Sequence, residues 1–546
     1  MTWSLVAHTM LKHSKPSERS TAAEAVDRGA TRVGRGASNA TPQQAGLEVE
    51  LKLGVATEHL DILKNHPLFR NRRSGRGELI SIYLDTKDRA LHRQGLSFRL
   101  RRKGEELLQT IKGPYQGIVD RSERETLFIR DKSDRPGAID AFLRNLDRTS
   151  PTALKPVFKT RVERETFQIG GIEVCLDKGE IIAGRRSSSI AEVELELKSG
   201  DRAKLFSLAR KISAIIPAEI SVKSKSERGY DLVEGTKTRA IMAQDPVLSR
   251  FPTVIEAFQV VSSECLHQLI SNLPGVRDHM AESLHQARVA LRRLDAAVKV
   301  FRKIQSGRAA KIAGELKWIS GELGDARELD VFMNDFFAPL RSKHPTDLSL
   351  AKVHDACVRL SEKAYERANA ALSSQRFRTF LIDVAEWIET AKGGRKAKSR
   401  VKSAPSAKDL VSRTLSKMSR KMKAVKRIDE LDLRGLHKLR LRAKRMRYTI
   451  EFTRNLYEVD RERIEATLKQ LCKLQSALGK LTDMASARTI LSRIVMEAKA
   501  DPKSGKQTIN SVLTTMAAGQ ESQNPQQIKK AAKAFEKLEN LKPFWT

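Results

Sequence analysis

The hydrophobic period of this chain changes once, and that change limits what each part can fold into. From Leu47 to about Leu197, apolar and polar residues alternate in short runs separated by Gly, Pro, Asp and Asn. Period two with such breaks predicts a mostly antiparallel β domain. After about Thr236, long amphipathic runs repeat every 3.6 residues with few strand signals, which predicts an all-α region. With 546 residues and 40% of them apolar, the chain exceeds one core and has enough apolar mass for two or three.

The expected organisation follows from these breaks. Residues 1–46 are rich in Ser, Thr, Ala, Gly and Arg without period and read as a disordered leader. Residues 47–236 form the β domain, with a helical piece over 202–216 and a last short strand near 221–226. A linker over 237–252 leads to a helical domain over 253–540, which a basic Lys/Arg/Gly/Ser stretch at 393–406 divides into halves. The halves resemble each other. HQARVALRRLDAAVKVF from His285 and HKLRLRAKRMRYTIEF from His437 carry His, Arg and a basic pair at equal offsets. LGDARELD from Leu323 is echoed by LGKLTDMA from Leu478, so two repeats in the same order point to an internal duplication.

A net charge of +35, from 101 Lys and Arg against 66 Asp and Glu, calls for a polyanionic partner. Aromatics at 5% weigh against single-strand nucleic acid, where bases stack on rings, and no specific nucleic-acid partner is expected. The four cysteines lie far apart, against a zinc site or a disulfide framework and for a reducing compartment. No apolar run approaches the roughly 20 residues a membrane helix needs. A cytoplasmic protein without a membrane partner is the expectation.

Within the β region the charges fall on one side of each strand. Glu48, Glu50 and Lys52 alternate with Val49, Leu51 and Leu53. Arg99 and Arg101 oppose Phe98 and Leu100, Lys112 and Thr110 oppose Ile111, and Glu192, Glu194 and Glu196 oppose Val193, Leu195 and Leu197. An antiparallel sheet with one wet face explains any single strand. The set is better explained by a closed barrel lined by both signs. Carboxylates hold hard cations through oxygen, Arg and Lys hold phosphate oxygens, and a metal-chelated polyphosphate needs both.

The segment Glu48-x-Glu50-x-Lys52 is similar to the ExExK signature of the CYTH family, the triphosphate tunnel metalloenzymes. YLDT from Tyr83, RLR from Arg99, TIK from Thr110, RSE from Arg121, LDKGEI from Leu176, ELEL from Glu194 and KSKSERGY from Lys223 follow in the order of that family's bacterial inorganic triphosphatases. The resemblance covers about 47–235. It implies an eight-stranded antiparallel tunnel that hydrolyses a triphosphate with Mg²⁺ or Mn²⁺. Carried over by position, Glu48, Glu50 and Lys52 are catalytic, and Glu48, Glu50, Glu192 and Glu194 hold metal. Lys52, Arg99, Arg101, Lys112, Arg161 and Lys225 grip phosphates, while Glu123, Asp177 and Glu196 complete the lining.

In the helical region His285, Arg288 and Arg292 share one helix face, as do His437, Arg440 and Lys444. Stacked like charges repel unless an anion joins them. The two runs resemble the CHAD domain over about 253–540, which implies two four-helix halves and a surface that binds inorganic polyphosphate. His285, Arg288, Arg292, Arg293, His437, Arg440, Lys444 and Arg445 carry that role, with Asp325 and Asp483 either orienting some of them or, the favoured reading, capping helices. No nucleophile–base set is present here, so this half reads as a binding module.

The combined expectation is an inorganic triphosphatase (PPPi + H2O to PPi + Pi) joined to a polyphosphate-binding domain. That domain would deliver substrate or tether the enzyme to polyphosphate granules. Thiamine or nucleoside triphosphates as substrate, or a non-catalytic polyphosphate scaffold, are the alternatives.

Overall fold

The computed structural model describes residues 46–103, 106–127, 154–304, 306–343, 345–346, 348–391, 406–425, 427–499 and 524–545. Two compact units divide between Lys237 and Thr238. The expected leader falls outside the described residues except for Gly46, as does the expected basic linker except for Ser406.

The first unit runs β1 (Gly46–Gly54), α1 (Thr57–Asn65), β2 (Arg73–Asp85), α2 (Ala90–Arg93), β3 (Ser97–Lys103), β4 (Glu106–Gln116) and β5 (Asp120–Leu127). It continues with β6 (Lys155–Ile169), β7 (Ile172–Ala183), β8 (Arg186–Leu197), α3 (Ala203–Ile215), β9 (Glu219–Ile220) and α4 (Lys225–Glu234). The strands lie in the order β5-β4-β3-β2-β6-β7-β8-β1, and β1 pairs back onto β5 over Gly46–Val49, so β1 to β8 curl into a ring. Every pairing is antiparallel, and β9 adds two residues beside β1.

Register decides which side chains meet. Arg164 on β6 lies opposite Asp177 on β7, and Asp177 lies opposite Glu192 on β8. Lys52 on β1 lies opposite Glu194. Because side chains alternate, these neighbours share one face. Outside the ring, α3 buries Leu205, Phe206, Leu208, Ala209 and Ile212, and α1 buries Leu60 and Leu63.

Two local readings need correction. The period-two region contains α1, whose Leu60 and Leu63 are one helical turn apart and buried together. The expected strand near 221–226 gives way to α4. Ser224 accepts a hydrogen bond from the Glu227 amide, and the Glu227 carboxylate accepts from the Ser224 amide. This capping box is legible as S-x-x-E and makes Lys225 the first residue of a helix.

Helix α4 packs over one end of the ring. Tyr230 joins Tyr83, Phe158, Val162, Ile181 and Ile190 in a single cluster. A Cβ at Gly229 would fall 2.1 Å from Phe158, so the helix sits flush on that ring.

The second unit is helical: α5 (Val254–Arg277), α6 (Ala281–Val300), α7 (Ser306–Glu322), α8 (Gly324–Val331), a π-helical turn (Phe332–Phe337), α9 (Ala338–Lys343), α10 (Leu348–Ser373) and α11 (Gln375–Glu389). The second half holds α12 (Ala407–Lys423), α13 (Leu433–Thr453), α14 (Arg461–Lys499) and α15 (Asn524–Glu539). The segment expected as a linker is pinned to this unit. Asn272 bonds both the amide and the carbonyl of Ile241, and Arg293 donates to the Gln244 carbonyl at 2.6 Å. No helix among the described residues is long and apolar enough to cross a membrane.

Candidate active site and anion-binding cavity

The ring encloses a cavity of about 530 Å³ lined by seven basic and seven acidic residues. Two charge groups occupy it. In the first, Lys112 Nζ sits 2.7 Å from Glu48 Oε2, 2.9 Å from Glu123 Oε2 and 4.0 Å from Glu50 Oε2. Arg99 approaches Glu123 at 3.6 Å. In the second, Lys225 Nζ lies 2.7 Å from Asp177 Oδ2 and 2.9 Å from Glu194 Oε1, and also bonds Glu192. Arg164 makes a bidentate pair with Asp177 at 2.6 and 2.7 Å and reaches Glu194 as well. Lys52 joins the groups, 3.4 Å from Glu50 and 3.3 Å from Glu194.

Burial and the neighbouring Glu123 push the Glu48 carboxyl up to about 8 against the pull of Lys112. Against burial, a hydrogen bond with Glu48 and the charges of Lys112 and Arg99 hold Glu123 low, at about 2. Burial alone would raise Glu194 and Asp177 too, but Lys225 and Arg164 outweigh it and hold both below the usual carboxylate range. Burial beside Arg99 and Arg164 lowers Arg101 to about 10. Among the described residues no carboxylate lies within 4 Å of Arg101, which donates instead to Ser81 Oγ at 3.2 Å.

Oxygen atoms of Asp177, Glu192 and Glu194 all lie within 4.8 Å of one another. Glu50 Oε1 is buried without a hydrogen-bond partner. An all-oxygen donor set of this kind fits a hard divalent cation.

The helical unit holds a second charged cavity, of about 610 Å³. His285, Arg288 and Arg292 from α6 face it, as do His437, Arg440 and Lys444 from α13, each set at i, i+3, i+7. Arg440 pairs with Asp483 at 3.0 Å. Among the described residues Arg288, Arg292 and Lys444 have no carboxylate within 4 Å, and the Nε atoms of Arg288 and Arg440 are buried without partners. Burial, then the neighbouring arginines, lowers Arg288 to about 10 and Lys444 to about 7. Glu328, Asp335 and Asp483 also line this cavity, but the cations outnumber them and depress one another, a repulsion that an added anion would relieve. The duplication extends to the floor: Gly324 lies against the Arg288 guanidinium and Gly479 against that of Arg440.

The CYTH domain family model matches residues 46–230, and the CHAD domain family model matches residues 261–492. The chain carries a CYTH domain followed by a CHAD domain. An inorganic triphosphatase from Haemophilus influenzae (strain ATCC 51907 / DSM 11121 / KW20 / Rd) is 30% identical over 203 residues, 34% of this chain and 54% of its own length. The chain thus spans about half the length of that curated relative. The crystal structure of the CHAD domain from the plant Ricinus communis is 22% identical, covers 55% of this chain and 96% of its own, and superposes with a TM-score of 0.45. A protein from Pyrococcus horikoshii OT3 is 22% identical over 34% of this chain and 98% of its own, with a TM-score of 0.25.

In the CYTH domain, Glu48, Glu50, Lys52, Arg99, Arg101, Lys112, Glu123, Glu194, Glu196 and Lys225 line one cavity, with Asp177 and Glu192 buried beneath Lys225. The four carboxylates expected to hold metal divide between the two groups. Glu48 lies with Glu123 and Lys112, whereas Asp177, expected only as lining, joins Glu192 and Glu194. Glu196 is at the edge, paired with Lys198 at 2.6 Å.

Arg161 is a correction. Its side chain is 63% exposed outside the ring and pairs with Glu78. Arg164, which sequence reasoning missed, takes the inward position. Phe158, Val162 and Arg164 share one face of β6, so the inward side is apolar under α4 and becomes polar in the tunnel. The position carried over from the family resemblance falls on the outward face, three residues before the inward arginine.

In the CHAD domain, Arg293 and Arg445 are corrections. Arg293 is 1% exposed, donates to Gln268 Oε1 at 3.1 Å and lies over the Phe452 ring. Arg445 is absent from the cavity wall. Each stands one residue beyond the last wall residue, about 100° around the helix from it, which a helical wheel exposes. Arg327 and the π-helical turn on the wall were also missed. Asp483 lies inside α14 and orients Arg440 rather than capping a helix, and Asp325 makes no capping bond but pairs with Arg367 at 2.6 Å.

Proposed function

We propose that this chain is a metal-dependent inorganic triphosphatase, cleaving triphosphate to pyrophosphate and phosphate, whose CHAD domain binds inorganic polyphosphate. The observation that carries the hydrolase reading is the tunnel's mixed lining. Cations for phosphate oxygens and carboxylates for a divalent cation face one another within 4 Å about Lys52. The family match and the triphosphatase relative support it.

Phosphoryl transfer asks the protein mainly for positioning and charge neutralisation. Lys52, Arg99, Arg101, Lys112, Arg164 and Lys225 would bind the phosphate oxygens. Arg101 is the cation best placed to do so without leaving a carboxylate. Asp177, Glu192, Glu194 and Glu50 would hold Mg²⁺ or Mn²⁺, which when bound supplies Lewis acidity and lowers the pKa of a water. The Glu48–Glu123 pair beside Lys112 completes the charged wall around these groups. The single aromatic of the lining, Tyr83, is stacked on Phe158 at 4.5 Å. The rest is charged, hydroxyl or thiol, which favours a bare triphosphate over one bearing a base or thiamine.

The CHAD cavity supports polyphosphate because its cations need an anion of repeating charge and no shape-specific group. Adjacency of the two domains makes substrate delivery or tethering to cytoplasmic polyphosphate granules the joint role. Release from granules on deleting residues 253–540 tests it.

The deciding assay is phosphate release from inorganic triphosphate with Mg²⁺, comparing wild type with Glu50→Gln, and ATP and thiamine triphosphate as rival substrates. Release that disappears in the variant supports the reading. No release, with polyphosphate binding intact, leaves a binding scaffold.

A further inference from the structure

A second basic surface lies outside both the tunnel and the CHAD cavity. Between α14 and α15 runs a groove of about 460 Å³, lined by Lys473 and Lys480 from α14 and Lys530, Lys533 and Lys537 from α15. All five are exposed, and among the described residues no acidic side chain lines the groove. Among the described residues none of the five has a carboxylate within 4 Å, although ion pairs are common elsewhere on this unit. Its floor includes Ala477 and Ala534, small enough for a ligand to approach both backbones. The α15 wall lies beyond the residues that the CHAD family model matches.

The groove and the cavity are consecutive on one helix. Lys473, Lys480 and Ala487 are spaced by seven, as are Ser476, Asp483 and Ile490. The earlier members of each series line the groove and the later ones the cavity. Seven residues are nearly two turns, so these positions form one stripe along α14. An anionic chain longer than the cavity meets the lysine groove as it leaves.

We propose that this groove is a second polyphosphate-binding site, a track for the part of a long polymer that extends beyond the CHAD cavity. The inference rests on the polyphosphate reading of that cavity for its ligand. The groove itself favours a polymer without bases: among the described residues its walls carry no aromatic and no arginine, only Lys, Gln, Ser and Ala. Lysine supplies point charges, whereas bases are held by stacking and planar donors.

The test uses the full chain and three probes: a short oligophosphate, long-chain polyphosphate and single-stranded RNA. The variant replaces Lys473, Lys480, Lys530, Lys533 and Lys537 together by Gln, which keeps helix propensity nearly unchanged. Short-oligophosphate affinity is expected to stay within twofold, and long-chain affinity to fall at least tenfold. By counterion release, at about 0.7 per neutralised charge, the salt dependence of long-chain binding should flatten by up to about 3.5 log–log units. Arg292→Ala with Lys444→Gln should weaken short and long chains alike. Equal chain-length dependence in wild type and the five-lysine variant overturns the track while leaving the cavity reading intact. Loss of RNA binding alone would make the groove a nucleic-acid surface and overturn it too. If wild type binds neither phosphate probe, the cavity reading fails and this one with it.

Discussion

The Tyr230 hydroxyl donates a 2.7 Å hydrogen bond to Asp85 Oδ2, joining two segments 145 residues apart. Asp85 is fully buried, and its carboxylate also accepts from the amides of Thr86, Leu91 and His92. Two motifs that carried the family resemblance, YLDT and KSKSERGY, therefore meet as a structural latch. It holds α4 against β2, and with it Lys225. Tyr230→Phe should cost about 1 kcal/mol in urea unfolding, the worth of one hydrogen bond, and keep most turnover. Asp85→Ala strands several donors and should cost about 3 kcal/mol or more.

Glu50→Gln keeps the shape of a buried side chain and removes its charge. Triphosphate turnover should fall about 100-fold or more, by analogy with loss of one preorganised charge-stabilising group, with the thermal midpoint nearly unchanged. Near-normal turnover would remove Glu50 from the chemistry.

Arg164 and Arg161 give a paired test three residues apart. Arg164→Ala should raise KM for triphosphate and lower kcat, because the guanidinium lines the tunnel. Arg161→Ala should change neither constant by more than twofold, since its pair with Glu78 is exposed and worth at most about 1 kcal/mol. The reverse pattern would invert the facing of β6.

Arg292 and Arg293 separate binding from stability. Arg292→Ala relieves crowding on the cavity wall, so polyphosphate affinity should fall at least tenfold without loss of stability. Arg293→Met leaves Gln268 and the Gln244 carbonyl without their buried donor, and should cost about 1–3 kcal/mol in urea while sparing affinity.

Polyphosphate binding should weaken as pH rises through about 7. Burial, Arg292 and Arg440 depress Lys444 to about 7 in the free cavity, with Arg447 adding to them and Asp483 opposing. Below that value it is already charged. Above it, an anion must draw a proton onto it, which costs up to about 1.4 kcal/mol, or tenfold in affinity, per pH unit. Burial, then nearby cations, also holds His285 and His437 below their ordinary value, so they add charge only at more acidic pH. Titration calorimetry across pH 6–9 checks this, and Lys444→Gln should flatten the profile.

The sequence by itself determined the two architectures, because periods of 2 and 3.6 report how backbone turns residues toward one side. It also determined that Glu48, Glu50 and Lys52 share a face, and that two helices repeat a His–Arg–basic stripe at i, i+3, i+7. Only the tertiary structure decided what those faces meet. Whether Arg161 or Arg164 enters the tunnel depends on which face of β6 the ring turns inward. Asp177 becomes a partner of Glu192 and Glu194 through the register of β7 on β8, and Arg327 reaches the cavity because another helix brings it there. Local pattern fixes the side of an element on which a residue stands. Which side is lined, covered or wet is set by neighbours distant in sequence.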